Sequence, residues 1–337
     1  MIKCINFSLS NRCNAHCIWC PTDRGTKHNF DLPFELVKKV VDEFASPDCP
    51  HKLEMVHISE NGEALYNPEF LKILRYVKEQ LPDVAINFLS NFGLLSKKVS
   101  EALFKEKLLT SVQVNIDGHD RASYEAVKGI SYKSVIKNVK YFLEMREKYD
   151  PEFDFCINVM PAFEYTLTVS KFFGTTPDRF DPSKPIPFST FEATEKSLRE
   201  FIPDNVRVRY SKAGLWSERK LVTSGRAKKV DQSQMDCPML ARVEEEVFIA
   251  PNGDWYACCL DDNNDIVLGN LKDNTIDELF KSQKRQKFIS MLKAREWDKI
   301  GGPCATVVCC QTVSIEKDQF DQMTEGLVPG MEIDFNG

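Results

Sequence analysis

The sequence predicts a parallel α/β fold of six strand–helix units, followed by a smaller unit in which cysteines gather. Three observations lead there. Up to about residue 210, short runs suited to strands exchange with longer runs of helical spacing, which is the pattern of βα units. Beyond the segment that ends near residue 235, the pattern changes to a hairpin and then a helix. Nine of the twelve cysteines fall into two groups, one near the start of the chain and one in that last unit.

The elements follow in order. "KCINFSLS" alternates as a strand, and "PFELVKKVVDEF" has helical spacing opened by Pro33. "LEMVHIS" is a strand, and "PEFLKILRYVKEQL" a helix opened by Pro68. "VAINFLS" pairs with the helix "SKKVSEALFKEKL", and "SVQVNID" with the long amphipathic "SYKSVIKNVKYFLEMREKY". "FDFCINVM" is a fifth strand; "TEKSLREFI" and "VRVRYS" add a helix and a sixth strand. Six units fit an open or closed barrel, with its active site at the C-terminal ends of the strands. The irregular stretch 163–187, rich in Pro and Thr, reads as an insertion or lid, with a plain surface loop as the alternative. "WSERKLVTSGRAKKVDQSQMD" reads as a basic, solvated linker. "EEVFIAPNGDWYACC" is a hairpin turned at "PNG", and "TIDELFKSQKRQKFISMLKAREW" is helical. The expected domains are 1–212, a linker 213–235, a cysteine-bearing unit 236–325 and a tail 326–337.

Net charge −6 and a pI near 5.6 argue against a nucleic-acid partner. The first residues lack a basic region followed by an apolar run, so no signal peptide is expected. No apolar run is long enough to span a bilayer, and no membrane partner is expected. A cytoplasmic location follows as an expectation. Cysteines in a reducing compartment are not expected to form disulfides, and clustered ones suggest metal ligands.

The first group is "SNRCNAHCIWCPTDRG", with Cys13, Cys17 and Cys20 directly after the first strand. Three thiolates are one short of a closed zinc site, although His16 or His28 would complete a zinc knuckle. An iron–sulfur cube has four irons, so three thiolates leave one iron open to a small molecule. The spacing C-x3-C-x2-C resembles the signature of the radical S-adenosylmethionine (radical SAM) superfamily. That resemblance implies a partial (β/α)6 TIM-like barrel and a [4Fe–4S] cluster whose open iron chelates the amino and carboxylate groups of SAM. Reductive cleavage then gives a 5′-deoxyadenosyl radical that takes hydrogen from substrate. Trp19 stands where the family packs the adenine. "SENGEALYNP" resembles the Gly-Gly-Glu motif, with Asn61, Gly62 and Glu63 at its positions and the first glycine replaced. "LSNFGLL" resembles the Thr-Asn-Gly segment and puts Ser90 and Asn91 near the ribose or carboxylate. "VNIDGHDRASYEAVKG" resembles the Ser-x-Asp-Gly segment. There Asn115 replaces Ser, Asp117 is kept, and Lys128 holds the basic position that meets the SAM carboxylate. The resemblance spans about residues 3–210.

The second group has Cys237, then Gly253, then Cys258 after four more residues, and it ends in "GGPCATVVCC". It resembles the SPASM and shorter twitch extensions of radical SAM enzymes, small α+β units that bind auxiliary [4Fe–4S] clusters. Six cysteines, four of them in adjacent pairs, leave about four usable ligands. One auxiliary cluster is therefore expected, held by Cys237, Cys258, Cys304 and either Cys309 or Cys310. A zinc ribbon would need two close C-x2-C pairs, which are absent. Cys259 is left over, either as buried filler or as a thiol that donates a hydrogen atom.

Two enzyme classes compete. The first acts on an alcohol carbon of a sugar, cyclitol or nucleotide sugar, by dehydrogenation or epimerisation, like the aminocyclitol dehydrogenase and aminoglycoside epimerase relatives. The second matures a ribosomally made peptide by epimerisation or crosslinking. Cys13 falls too early for a preceding winged-helix leader-binding domain, which favours the first. A non-catalytic iron–sulfur or zinc protein is the third class. The resemblance also implies a reductant such as flavodoxin or ferredoxin. Glu60, His57, Tyr66, Asn158, Arg207 and Arg209 are candidates for touching substrate at the barrel mouth. Arg207 and Arg209 share one strand face, where a solvated role is the default and a phosphate or carboxylate partner the alternative.

Overall fold

A computed structural model of the chain describes residues 1–18, 20, 30–58, 61–160, 189–211, 233–261 and 263–306. Strand and helix alternate through the first two thirds. The order is β1 (Cys4–Phe7), α1 (Phe34–Ala45), β2 (Met55–Ile58), α2 (Phe70–Gln80), β3 (Ala85–Ser90) and α3 (Lys97–Lys105). It continues with β4 (Ser111–Asn115), α4 (Arg121–Lys128), α5 (Tyr132–Tyr149), β5 (Asp154–Val159), α6 (Phe191–Arg199) and β6 (Arg207–Tyr210). β1 to β6 lie side by side in sequence order, every pair parallel. This is the partial-barrel arrangement that the alternation predicts.

Side chains alternate across each strand. One face carries Ile5, Phe7, Val56, Ile58, Val112 and Val114, all buried under the helices. α1 meets them with Leu36, Val37, Val40, Val41 and Phe44, an apolar stripe at helical spacing. The other face is polar and follows the strand register. Asn6 stands beside His57, His57 beside Asn87, and Asn87 beside Ser111. Two levels nearer the C-terminal ends, Asn115 stands beside Asn158, and Asn158 beside Arg209. Such amides and hydroxyls cannot be buried in an apolar core without partners, so this face is the lumen.

The last unit is built from α7 (Leu240–Glu245), β7 (Glu246–Ile249), β8 (Asp254–Tyr256), β9 (Val267–Asn270), α8 (Ile276–Lys281), α9 (Gln283–Lys293), α10 (Trp297–Ile300) and α11 (Gly302–Thr306). β7 pairs parallel to β1, and β8 and β9 follow antiparallel. The hairpin expected at "PNG" therefore extends the barrel sheet, which with β9 has nine strands among the described residues. The stretch expected to be helical from Thr275 to Trp297 holds two helices, α8 and α9, and α10 begins at its last residue. Ser282 has extended backbone (ψ 144°), ends α8 and caps α9 by accepting from the Arg285 amide. β9 and α4, of four and eight residues, were not expected. Among the described residues, no helix is long and apolar enough to cross a membrane.

Arg285 locks this unit together. Its guanidinium is buried and donates to the carbonyls of Val243, Glu244 and Phe280. It also lies 4.2 Å from the Phe280 ring centroid. Burial pushes it down to about 10. Replacing Arg285 with Ala leaves those carbonyls short of a donor. The expected cost is about 1.5–3 kcal/mol, read as a lower urea midpoint with unchanged slope.

Candidate functional site

The three-cysteine loop lies across the C-terminal ends of β1, β2 and β4, held by backbone hydrogen bonds on two sides. The amides of His16 and Ile18 donate to the carbonyls of Lys128 (2.7 Å) and Val127 (3.0 Å). Those carbonyls belong to the last turn of α4, where no intrahelical donor remains. The cysteine loop thus caps a helix C-terminus. α4 itself starts at a capping box between Asp120 and Ser123 and ends at Gly129 in the left-handed region. On the other side, the Glu63 amide donates to Arg12 O at 2.8 Å. Gly62 beside it has φ +81°, and a Cβ there would meet Ser10 O at 2.1 Å. Only glycine allows the turn after β2 to approach the loop so closely. Arg12 also pairs with Asp31 and stacks over Tyr66, 4.9 Å from its centroid.

Cys13, Cys17 and Cys20 form no disulfide. Burial pushes Cys13 up to about 12, with Glu63, Cys17 and Cys20 adding to the rise. Burial also raises Cys17, against the pull of Lys128. Lys128 and Asp117 form an ion pair at 2.9 Å with both side chains almost fully buried. Burial alone would lower the ammonium; Asp117 and the Cys17 sulfur override it and raise it well above ordinary lysine. The ammonium also reaches the Cys17 sulfur as a hydrogen-bond donor. Asp117 Oδ1 accepts from the Met160 amide at 2.9 Å, which ties the end of β4 to the end of β5.

Glu63 is buried, and burial pushes its carboxyl up. Ser90 Oγ and the Asn91 amide each donate to it at 2.9 Å, joining the turns after β2 and β3. Asn91 Nδ2 continues to Asn14 Oδ1 (2.9 Å) and Cys13 Sγ (3.6 Å). Asn61, Gly62, Glu63, Ser90, Asn91, Asp117 and Lys128 thus converge on the cysteine loop. Asn115 sits on the lumen face and accepts from Gln113 at 3.3 Å. Trp19, Glu60, His28, Cys309, Cys310 and the stretch 163–187 lie outside the described residues.

Among the described residues no three His, Cys, Asp or Glu side chains are set around a single ion. An iron–sulfur cube spreads its thiolates more widely than one ion does. Three mutually interacting thiols beside a buried cation fit such a cube, whose net charge the cation would offset. In the last unit, Cys258 and Cys304 are buried, and Cys258 lies within electrostatic reach of Cys259 and Cys304. Cys237 is half-buried ahead of α7.

Sequence reasoning missed one further group. Arg242 on α7 pairs with Glu246 at 2.7 Å, reaches Cys259 Sγ at 3.1 Å and approaches Asn6 Oδ1 at 3.4 Å. Asn6 is beside His57, whose imidazole burial and Arg242 push down. The pairing of β7 with β1 sets Arg242, with its contact to Cys259, beside Asn6, and no local sequence signal carries that pairing.

The comparisons with known proteins follow this geometry. The Radical SAM superfamily family model matches residues 7–157, and SPASM, an iron–sulfur cluster-binding domain, matches residues 237–313. The chain belongs to the radical SAM superfamily and carries a C-terminal SPASM domain. Its cofactors are accordingly a [4Fe–4S] cluster with SAM and auxiliary iron–sulfur. An uncharacterised protein of Methanocaldococcus jannaschii is 28% identical over 120 residues, 35% of this chain and 39% of that protein. A probable GTP 3′,8-cyclase of Methanococcus aeolicus is 24% identical over 147 residues, 42% and 46% of the two chains. The chain thus spans less than half the length of either curated relative. Three solved structures share the fold. BtrN in complex with AdoMet and 2-DOIA has TM-score 0.51 and 16% identity, covering 92% of each chain. Native anSMEcpe with bound AdoMet has TM-score 0.54 and 15% identity, covering 96% of each. Streptococcus suis SuiB bound to precursor peptide SuiA has TM-score 0.56 and 14% identity, covering 86% of this chain and 67% of that one.

Two substitutions test the geometry. Gly62→Ala forces the cysteine loop away, and reconstituted protein is expected to hold about four fewer irons per chain than wild type. Lys128→Met strands the buried Asp117 charge, with an expected loss of about 3–5 kcal/mol in chemical denaturation.

Proposed function

We propose that this protein is a radical SAM enzyme acting on a hydroxylated small molecule, a sugar, cyclitol or nucleotide sugar, by dehydrogenation or epimerisation. The observation that carries this is the lumen face, where Asn6, His57, Asn87, Ser111, Asn115 and Asn158 stand in strand register below the cysteine loop. Amide and hydroxyl groups in such an array match the donors and acceptors of a polyol. When bound, the cluster supplies the electron that cleaves SAM to methionine and a 5′-deoxyadenosyl radical, which takes a hydrogen atom from substrate.

Cys13, Cys17 and Cys20 would hold the SAM cluster. Trp19, Asn61, Gly62, Glu63, Ser90, Asn91, Asn115, Asp117 and Lys128 would build the SAM site. In this reading Glu63 acts by ordering Asn91, and Lys128 by placing Cys17. Cys237, Cys258, Cys304 and one of Cys309 and Cys310 would hold a single auxiliary cluster. The domain limits at 212 and 236 belong to the same reading, and electrons would come from a flavodoxin or ferredoxin. Cys259, held by Arg242 near the lumen, would return a hydrogen atom to the opposite face of the substrate carbon in an epimerisation. The resulting thiyl would then regain one electron from the reductant and one proton from solvent. The peptide-maturation alternative has fold neighbours, SuiB with SuiA and anSMEcpe with Cp18Cys peptide. Likeness at that identity speaks for fold alone, so the choice rests on the lumen.

Anaerobic, reduced, reconstituted protein incubated with SAM and pooled polyol candidates is expected to release 5′-deoxyadenosine, and Cys17→Ala to release none. No release from wild type with intact clusters would end this reading. In deuterated water, epimerisation is expected to leave one deuterium in the product. Cys259→Ala should keep 5′-deoxyadenosine release and lose the labelled epimer; a labelled epimer from that variant would remove Cys259 from the role.

A further inference from the structure

The lumen carries charge as well as amides, and most of it is cancelled. Arg207 is paired with Asp154 at 2.8 Å, and Arg242 with Glu246 at 2.7 Å. Lys128 is paired with Asp117, and the His57 imidazole is pushed toward its neutral form. Arg209 differs. Its partners are two neutral amide oxygens, Asn158 Oδ1 to Nε at 3.0 Å and Gln113 Oε1 to Nη2 at 2.9 Å. Among the described residues, no carboxylate pairs with it.

Those bonds also orient the group. Asn158 is buried on β5, and Ser211 Oγ donates to the same oxygen at 2.9 Å. Gln113 is on β4 and donates in turn to Asn115. Three adjacent strands thus fix one guanidinium. Asn158 takes the Nε hydrogen and Gln113 one of the two Nη2 hydrogens, and among the described residues no side chain or carbonyl accepts from Nη1 at the end of the group. That end is the fork that grips two oxygens of a carboxylate or phosphate at once. Arg209 stands in register with Asn158, and Asn158 with Asn115. At about 4.8 Å per strand, its backbone lies about 10 Å from that of Asn115.

We infer that Arg209 is a specificity-determining residue that grips an oxyanion of the substrate, a phosphate or carboxylate, through its free fork. This rests on the proposed substrate site in the lumen and narrows it: a neutral sugar or cyclitol leaves the charge unanswered, whereas a sugar phosphate, nucleotide sugar or sugar acid answers it. Neutral amide supports suit the role, because a carboxylate support would cancel the attraction beforehand.

The test is anaerobic calorimetric titration of reconstituted, SAM-saturated holoenzyme with inorganic phosphate and, separately, with acetate. One saturable site per chain is expected for at least one anion. Tighter binding of phosphate assigns the phosphorylated class, and tighter binding of acetate the carboxylated class. Arg209→Gln should weaken that binding by about tenfold or more, with Arg209→Lys falling between because a lysine cannot bind bidentately. Arg75→Gln, which removes an arginine paired with Glu106 on the helical side, should leave it unchanged. Retained cluster absorbance shows that the variants are folded, and Arg209→Lys decides if Arg209→Gln does not fold. No saturable site for either anion on wild type, or equal affinity in wild type and the Arg209 variants, would overturn the inference. The titration needs no turnover. SAM cleavage without anion binding therefore overturns this inference alone, and anion binding without SAM cleavage overturns the proposed function alone.

Discussion

The site depends on one buried ion pair. Asp117 and Lys128 meet at 2.9 Å with almost no exposure, and the pair is connected on every side. Through Asp117 it fixes the end of β5, and through the Lys128 carbonyl it receives the cysteine loop. Through the ammonium it places a positive charge against Cys17. An ion pair in such a place is poor economy for stability alone, since apolar residues of similar volume often serve as well. It is well suited to a loop that must hold anionic sulfur in a fixed place. The requirement for a local cation explains why a full positive charge is buried here.

The sheet divides the labour. Its helical face is continuous hydrocarbon and supplies rigidity. Its lumen face is a set of amides, hydroxyls and guanidinium groups in strand register. The strand ends carry the turns that grip the cysteine loop. Extending the sheet through β7 sets the last unit directly against β1, the strand that leads into the cysteine loop.

Much of this was legible in the sequence, for physical reasons. Period-two alternation in runs such as "MVHI" and "SVQVN" reports strands with one buried face, and each of the six parallel strands appears where that pattern stands. Thiol spacing after the first strand marked the cysteine loop, because chelation would need the residues close in sequence. What stayed hidden was long-range or satisfied by backbone. The role of α4 as a dock lies in carbonyls that any sequence would offer. The contact of Arg242 with Cys259 depends on β7 choosing β1 as its partner. Glu63, Asp117 and Lys128 were expected at the site only by resemblance, and nothing in their spacing says that Asp117 and Lys128 meet as a buried pair. Arg207 and Arg209 read alike in sequence. Only their partners, a carboxylate for one and two amides for the other, tell them apart.

The central claim is that the loop of Cys13, Cys17 and Cys20 holds a cluster whose open iron takes SAM. Electron–nuclear double resonance on the reduced protein addresses it most directly, using SAM labelled at its amino nitrogen and carboxylate oxygen. Strong hyperfine coupling of both labels to the reduced cluster is the predicted result, with none in a Cys17→Ser variant. A clear reduced-cluster signal that neither label perturbs would contradict the account.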